Sequence, residues 1–213
     1  MAPTEFLKKY RDYIIIATLV AAITGGNYIL SGGAKSNWVE VSDYGFTLLY
    51  SQGVNVWITG LDDDNVFDIN GAIHATRNAG MIGFNDKNKE FAVTWVKFDE
   101  KPSLEDILEI HYHSGEVNSV KRDRGFKLDK EAVTYGEVNG HDAAYQIHTF
   151  ELDMLDMDEP LLAKGVAVGW TCDDTGVSYV GYVLFWNAGE APSQSDSQIL
   201  SSLHWYLDTL KCH

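Results

Sequence analysis

The sequence predicts an α+β fold, a three-layer α/β/α sandwich with a central antiparallel sheet, preceded by one N-terminal transmembrane helix. Three observations predict it. Tyr13 to Leu30 form an apolar run of 18 residues behind the basic cluster Lys8, Lys9 and Arg11. After it come short β-rich segments separated by turn residues, the last of which, Val177 to Trp186, is apolar at both parities. Two segments open with helix caps, at Ser103 and Ser195. A strand apolar on both parities is covered on both sides, and two helices with such a sheet make three layers.

The apolar run divides the chain into a cytoplasmic tail (1–12), a membrane anchor (13–31), a linker (32–37) and one domain (38–213). A bilayer core of about 30 Å needs about 20 apolar helical residues, so the span is short unless Tyr10 and Ser31 are counted in. A cleaved signal peptide is the alternative, with Tyr13 to Ile23 as its apolar region and a cut near Ser31-Gly32-Gly33-Ala34; a buried soluble helix is the third reading. Positive charge before the run places the N-terminus in the cytoplasm and the domain on the extracytoplasmic side of the cell membrane.

The first 35 residues carry 4 basic and 2 acidic groups, which leaves 12 basic and 29 acidic for the rest, a net −17. Such a surface repels phosphate backbones, so nucleic-acid binding is disfavoured, no nucleic acid is expected as a partner, and a basic or metal-bearing partner suits it better, although plain solubility accounts for the same charge. Only two cysteines occur, Cys172 and Cys212. In an oxidising compartment they suggest one disulfide; two unpaired thiols are the other reading.

In chain order, Trp38 to Val41 and Gly45 to Tyr50 read as a hairpin, and Val54 to Thr59 as a further strand that ends in the acidic turn Leu61 to Asn65. Strands are expected at Ala72 to Thr76 and Phe91 to Phe98, with Asn85 to Lys89 between them as turn. Ser103 caps a helix whose inward face is Leu104, Ile107, Leu108 and His111, and Asp106 sits at the reciprocal capping position. Val133 to Val138 and Ala143 to Leu152 flank Asn139-Gly140, a hairpin turn. Ala163 to Cys172 and Val177 to Trp186 form a third hairpin. The final helix starts at Ser195, with Gln198 at capping-box spacing and the stripe Ile199, Leu200, Leu203, Leu207 and Leu210.

This order carries a resemblance. The Gly45-Phe46-x-Leu48-x-Tyr50 strand, the Pro102-Ser103-Leu104 helix, the Gly140-His141-x-Ala143-Ala144 hairpin and the Ile199-Leu200-x-Ser202-Leu203 helix together resemble the PsbP-like family. That fold is shared by the extrinsic oxygen-evolving protein of photosystem II and a small Ran-binding nuclear protein. The resemblance covers Trp38 to Cys212, and its cysteine placement is similar to that of secreted prokaryotic members. It implies a non-catalytic domain that binds, stabilises or helps assemble a membrane complex from the outside. This chain departs from the oxygen-evolving protein in being acidic and tethered, so no functional residue carries over.

Candidate chemistry is sparse. His111 and His113 point about 200° apart on a helix and do not share an ion there; His111 belongs at the core edge and His113 in solvent. Asp62, Asp63, Asp64, Asp68, Asn70 and Gly71 fail as an EF-hand at both ends, since Val66 and Arg77 would have to be ligands. The loop Glu151 to Glu159 is the best candidate docking or cation-binding surface, with Glu151, Asp153, Met154, Asp156, Met157, Asp158 and Glu159 as its donors. Met81, His141, His148, His204 and His213 show no spacing that ties them together. No G-x-S-x-G, H-E-x-x-H, P-loop or dinucleotide motif is present, and no cofactor or catalytic residue is expected. The leading expectation is therefore an accessory protein of an integral membrane protein complex. A binding module for a divalent ion or small ligand is the alternative, and a hydrolase the third, favoured if an apolar cleft holds paired titratable groups.

Overall fold

The computed structural model describes residues 38–122, 124–153 and 159–213. The expected tail, anchor and linker lie outside the described residues, and no described helix is long and apolar enough to cross a membrane.

Strands β1 (Trp38–Val41) and β2 (Phe46–Ser51) pair as the expected hairpin. With β11 (Lys211–Cys212) on the other side of β2 they form a separate small sheet. The main sheet is antiparallel and holds β3 (Asn55–Thr59), β4 (Ala79–Asp86), β5 (Lys89–Val96), β6 (Phe126–Lys130), β7 (Thr134–Val138), β8 (His141–Leu152), β9 (Leu161–Thr171) and β10 (Ser178–Ala188). Its strand order is β3-β4-β5-β10-β9-β8-β6. Strand β7 shares the β8 edge with β6: β6 pairs with the His148 to Leu152 half and β7 with the His141 to Tyr145 half.

Helices α1 (Leu104–Val120) and α2 (Asp196–Leu207) cover opposite faces, as the two-parity strand predicts. On β10, Tyr179 and Val183 join α2 residues Ile199 and Leu203 and the small sheet in one core. Val180, Tyr182 and Leu184 join α1 residues Ile107, Leu108 and Tyr112 in the other. Both caps form: Ser103 accepts from the Asp106 amide, and Ser195 with Gln198 completes a reciprocal capping box. The Asn139-Gly140 turn has both residues at positive φ, as a two-residue hairpin requires.

One expected strand is displaced. Ala72 to Thr76 is a loop, held by the Ile73 amide on the Asp68 carboxylate and the Gly60 amide on the Ile73 carbonyl, and the strand begins at Ala79. Gly80 and Gly83 make that stretch look like a turn in the sequence. Their reason is tertiary: a Cβ on Gly80 would lie 2.4 Å from the Trp95 ring and one on Gly83 2.3 Å from Trp57. Strands β6 and β11 are not marked in the sequence, being short and charged or only two residues long.

Cys172, just after β9, and Cys212, in β11, are bridged, with Cα atoms 6.5 Å apart and a sequence separation of 40. The bridge ties the chain end and the small sheet to the main one. Replacing both cysteines by Ala is expected to lower the unfolding free energy by up to roughly 4 kcal/mol, the loop-closure value for this separation, as read by chemical denaturation. Gly83→Ala forces the Trp57 indole off the strand and is expected to cost about 1–3 kcal/mol in the same measurement.

Candidate functional site

The site follows from how α1 lies on the sheet. Its first half sits close to the sheet because the residues beneath are small: Ala92, Ala144 and Ala167 are buried there, and a Cβ on Gly169 would be 3.0 Å from Ile107 Cγ2. Past Tyr112 the inward face changes to Ser114, Gly115, Asn118 and Ser119, none of which fills the space below. A cavity of about 180 Å³ results, walled by Phe67, Met81, Phe126, Leu128, Phe150 and Leu184.

Polar groups enter this cavity at its inner end. His111 Nε2 lies 3.4 Å from His148 Nε2, and His148 Nδ1 lies 3.4 Å from the Tyr112 hydroxyl and 3.5 Å from the Gln146 carbonyl. Burial holds the His148 imidazolium down at about 4, and burial together with the His148 ring holds His111 well below its usual range. Both rings are therefore neutral at pH 7, one Nε2 donating to the other. Beside them, the Tyr182 hydroxyl donates to Glu90 Oε1 at 2.5 Å. Asn85 Nδ2, in the amide orientation that satisfies both of its ends, donates to Glu90 Oε2 at 3.0 Å. Burial pushes the Glu90 carboxyl up to about 7, against the opposing effect of the Tyr182 hydrogen bond.

At the outer end, Asn118 is 6% exposed and donates through Nδ2 to the Ser114 and Phe67 carbonyls. That fixes its Oδ1, which has no hydrogen-bond partner among the described residues. Half-buried Arg122 follows one turn later and lines both this cavity and a second, of about 490 Å³, which meets it there. Burial and the neighbouring Arg124 charge bring Arg122 down to about 10.

Of the residues singled out from sequence, His111, His148 and Met81 line this cavity, and the others fall elsewhere. In the acidic loop, Met154, Asp156, Met157 and Asp158 lie outside the described residues. Of its described members, Glu151 pairs with Lys127 at 3.0 Å, the Asp153 amide donates to the Gly125 carbonyl, and Glu159 lies against Gly189. Asp62 and Asp68 use their carboxylates on nearby amides, Asp64 and Val66 for the first and Asn70 and Ile73 for the second. His111 lies at the core edge and His113 is exposed, as expected. His141 lies 3.6 Å from Cys212 Sγ, but the sulfurs are bonded to each other and offer no thiolate.

The sequence does not mark Asn118 and Arg122 in the cavity or Glu90 beside it, and it shows His148 without the partners that the fold brings to it. The cleft with paired titratable groups is the feature named as favouring a hydrolase. However, the Ser114 and Ser119 hydroxyls donate to the Asn65 and Gly115 carbonyls rather than to a histidine, and no cysteine is free. A nucleophile activated by an adjacent base is thus not assembled among the described residues. What the described residues form is an apolar cavity with polar groups at both ends and no poised attacking group.

No family model matches the chain, and no curated protein does. It is similar to solved structures. The solution structure of cyanobacterial PsbP (CyanoP) from Synechocystis sp. PCC 6803 is 12% identical, covering 89% of this chain and 99% of that one, with a TM-score of 0.45. A point mutant of the protein Mog1 is 11% identical over 83% and 96%, at 0.44. The Saccharomyces cerevisiae Ran-binding protein Mog1p is 9% identical over 84% and 96%, at 0.41. These likenesses concern the fold alone.

The buried groups make stability depend on pH in two opposed ways. Between about 4.5 and 7 the folded chain keeps a proton on Glu90 that the unfolded chain releases, so this contribution falls as pH rises. Between about 6.5 and 4 the unfolded chain takes up a proton at His148 that the folded chain refuses, so that contribution falls as pH drops. Glu90→Gln is expected to leave the unfolding free energy unchanged at pH 4 and to raise it at pH 8 by up to about 3 kcal/mol. Urea titrations across this range check it.

Proposed function

We propose that the chain is a membrane-tethered, extracytoplasmic binding module that holds a small organic ligand beneath α1. The cavity carries this reading. It is apolar in its walls and has a few convergent polar groups, and one buried acceptor, Asn118 Oδ1, has no partner among the described residues. The Cys172–Cys212 bridge supports an oxidising compartment, and the basic cluster before the apolar run at 13–31 supports the tether and its orientation.

Gly115 lets this be tested without disturbing the fold. It faces the cavity from α1, and a Cβ there meets nothing nearer than Phe126 Cζ at 3.6 Å. Gly115→Leu fills the cavity and gains helix propensity, so the variant is expected to be at least as stable as the parent. Indole, an apolar probe with one N–H, is expected to raise the melting temperature of the parent and not of the variant. An equal effect on both, or no effect on either, removes the pocket as the site.

A second reading, an accessory protein that stabilises a membrane complex by protein contacts, is favoured by one surface feature. Trp38 and Trp205, 39% and 45% exposed, lie with ring centroids 4.9 Å apart at the start of the described domain. Paired exposed aromatics are typical contact anchors. If this reading holds, Trp205→Ala is expected to release the protein from a fixed-stoichiometry assembly on extraction in mild detergent. Migration of the parent chain alone would remove it.

A further inference from the structure

We infer that the ligand of this cavity is an organic monocarboxylate with an apolar body and an N–H or O–H donor beside its acid group, an α-hydroxy or α-amino acid with a large side chain being the simplest form. The inference rests on the pocket reading and specifies what the pocket takes.

Arg122 supplies the first part. The chain has 31 acidic and 16 basic side chains, and its cations pair readily: Lys101 with Asp173, Lys121 with Asp62, Lys127 with Glu151, Lys130 with Glu109, Lys164 with Asp196. Arg122 is half-buried, yet no carboxylate among the described residues pairs with it. The carboxylates that line the neighbouring cavity are already engaged, Asp62 with two amides and Lys121, Asp68 with two amides. Lys121, at the helix end, already supplies the cation that the α1 dipole favours there. A guanidinium left open at a cavity mouth suits a carboxylate, which its planar fork binds through two parallel hydrogen bonds. In so acidic a domain a ligand with one negative charge is preferred over one with several.

Asn118 supplies the second. It stands one helical turn before Arg122, both line the junction of the two cavities, and its Oδ1 is an acceptor only. A buried acceptor without a donor is costly, so the complementary ligand places an N–H or O–H against it while its carboxylate meets Arg122. The cavity supplies the third. Its 180 Å³ is below the size that encloses a drug-sized ligand, and its walls are phenyl, leucine and methionine side chains, so the body is small and apolar.

The test uses the intact domain and L-3-phenyllactate, with 3-phenylpropionate, which lacks the hydroxyl, and 3-phenylpropane-1,2-diol, which lacks the acid. By calorimetry, phenyllactate is expected to bind about tenfold to a hundredfold more tightly than either analogue. Arg122→Gln is expected to reduce phenyllactate to the level of the diol and to leave indole unchanged. Asn118→Ala is expected to abolish the preference of phenyllactate over phenylpropionate. If the three compounds bind alike and Arg122→Gln changes none of them while indole still binds, the inference is overturned and the pocket reading stands. If indole does not bind the parent chain either, both fall. The analogue series needs no variant, so a variant that fails to fold does not shelter the proposal.

Discussion

Everything in this domain is arranged around keeping the β9–β10 hairpin dry on both faces. Trp170 and Tyr179 stack at 5.2 Å on one side, while Tyr182 and Leu184 point to the other. A strand pair of this kind has no solvent face, so each layer above and below it must be supplied by the rest of the chain. Two glycines set where those layers touch down. Gly169 receives Ile107 of α1, and a Cβ on Gly181 would be 3.0 Å from Leu207 of α2. The caps, the small sheet and the disulfide hold the helices and the chain end over these two contacts.

The two faces are filled differently. Under α2 the packing is aromatic and dense, with Phe91 4.1 Å from Tyr206, Phe84 5.9 Å from Phe91, and Phe46 wedged between Trp95 and Tyr179. Under α1 the sheet offers alanines and a glycine, and the helix offers serines, a glycine and an asparagine in its second half. The result is a cavity with polar groups buried inside it. Burying histidine, glutamic acid and asparagine is unfavourable unless their hydrogen bonds are made, and here one acceptor, Asn118 Oδ1, has no partner among the described residues. A fold that could have closed this space with leucine keeps it open and polar at both ends, at a cost in local stability.

Charge gives the pocket its selectivity without giving it reach. The acidic surface repels anions at long range, but screening confines that effect to about 8 Å at physiological salt. Arg122 acts inside that distance, in a partly dry environment where a charged hydrogen bond is strong. Binding of an anion here therefore depends on contact geometry at Arg122 and Asn118 rather than on attraction from solution.

What the sequence by itself determined is what local chemistry and periodicity encode. Ser103, Ser195 and Gln198 mark the helix starts, Asn139-Gly140 marks a hairpin, and the double-parity Val177 to Trp186 stretch announces a sheet covered twice. Each signal acts between residues a few positions apart, and each appears where expected. The sequence suggests the Cys172–Cys212 bridge, since only two cysteines occur, but it leaves two unpaired thiols as the other reading, and only the 6.5 Å approach of their Cα atoms decides it. The tertiary structure decided the rest. Gly80 and Gly83 belong to a strand because indoles from elsewhere lie over them, a fact no local window contains. His111 meets His148 across 37 residues because α1 lies over β8, and Tyr182 meets Glu90 across 92 because β10 borders β5. Asn118 and Arg122 are close in sequence and still unreadable there, since a polar helix end is ordinary until the packing above the sheet buries one of them and leaves the other without a carboxylate partner among the described residues.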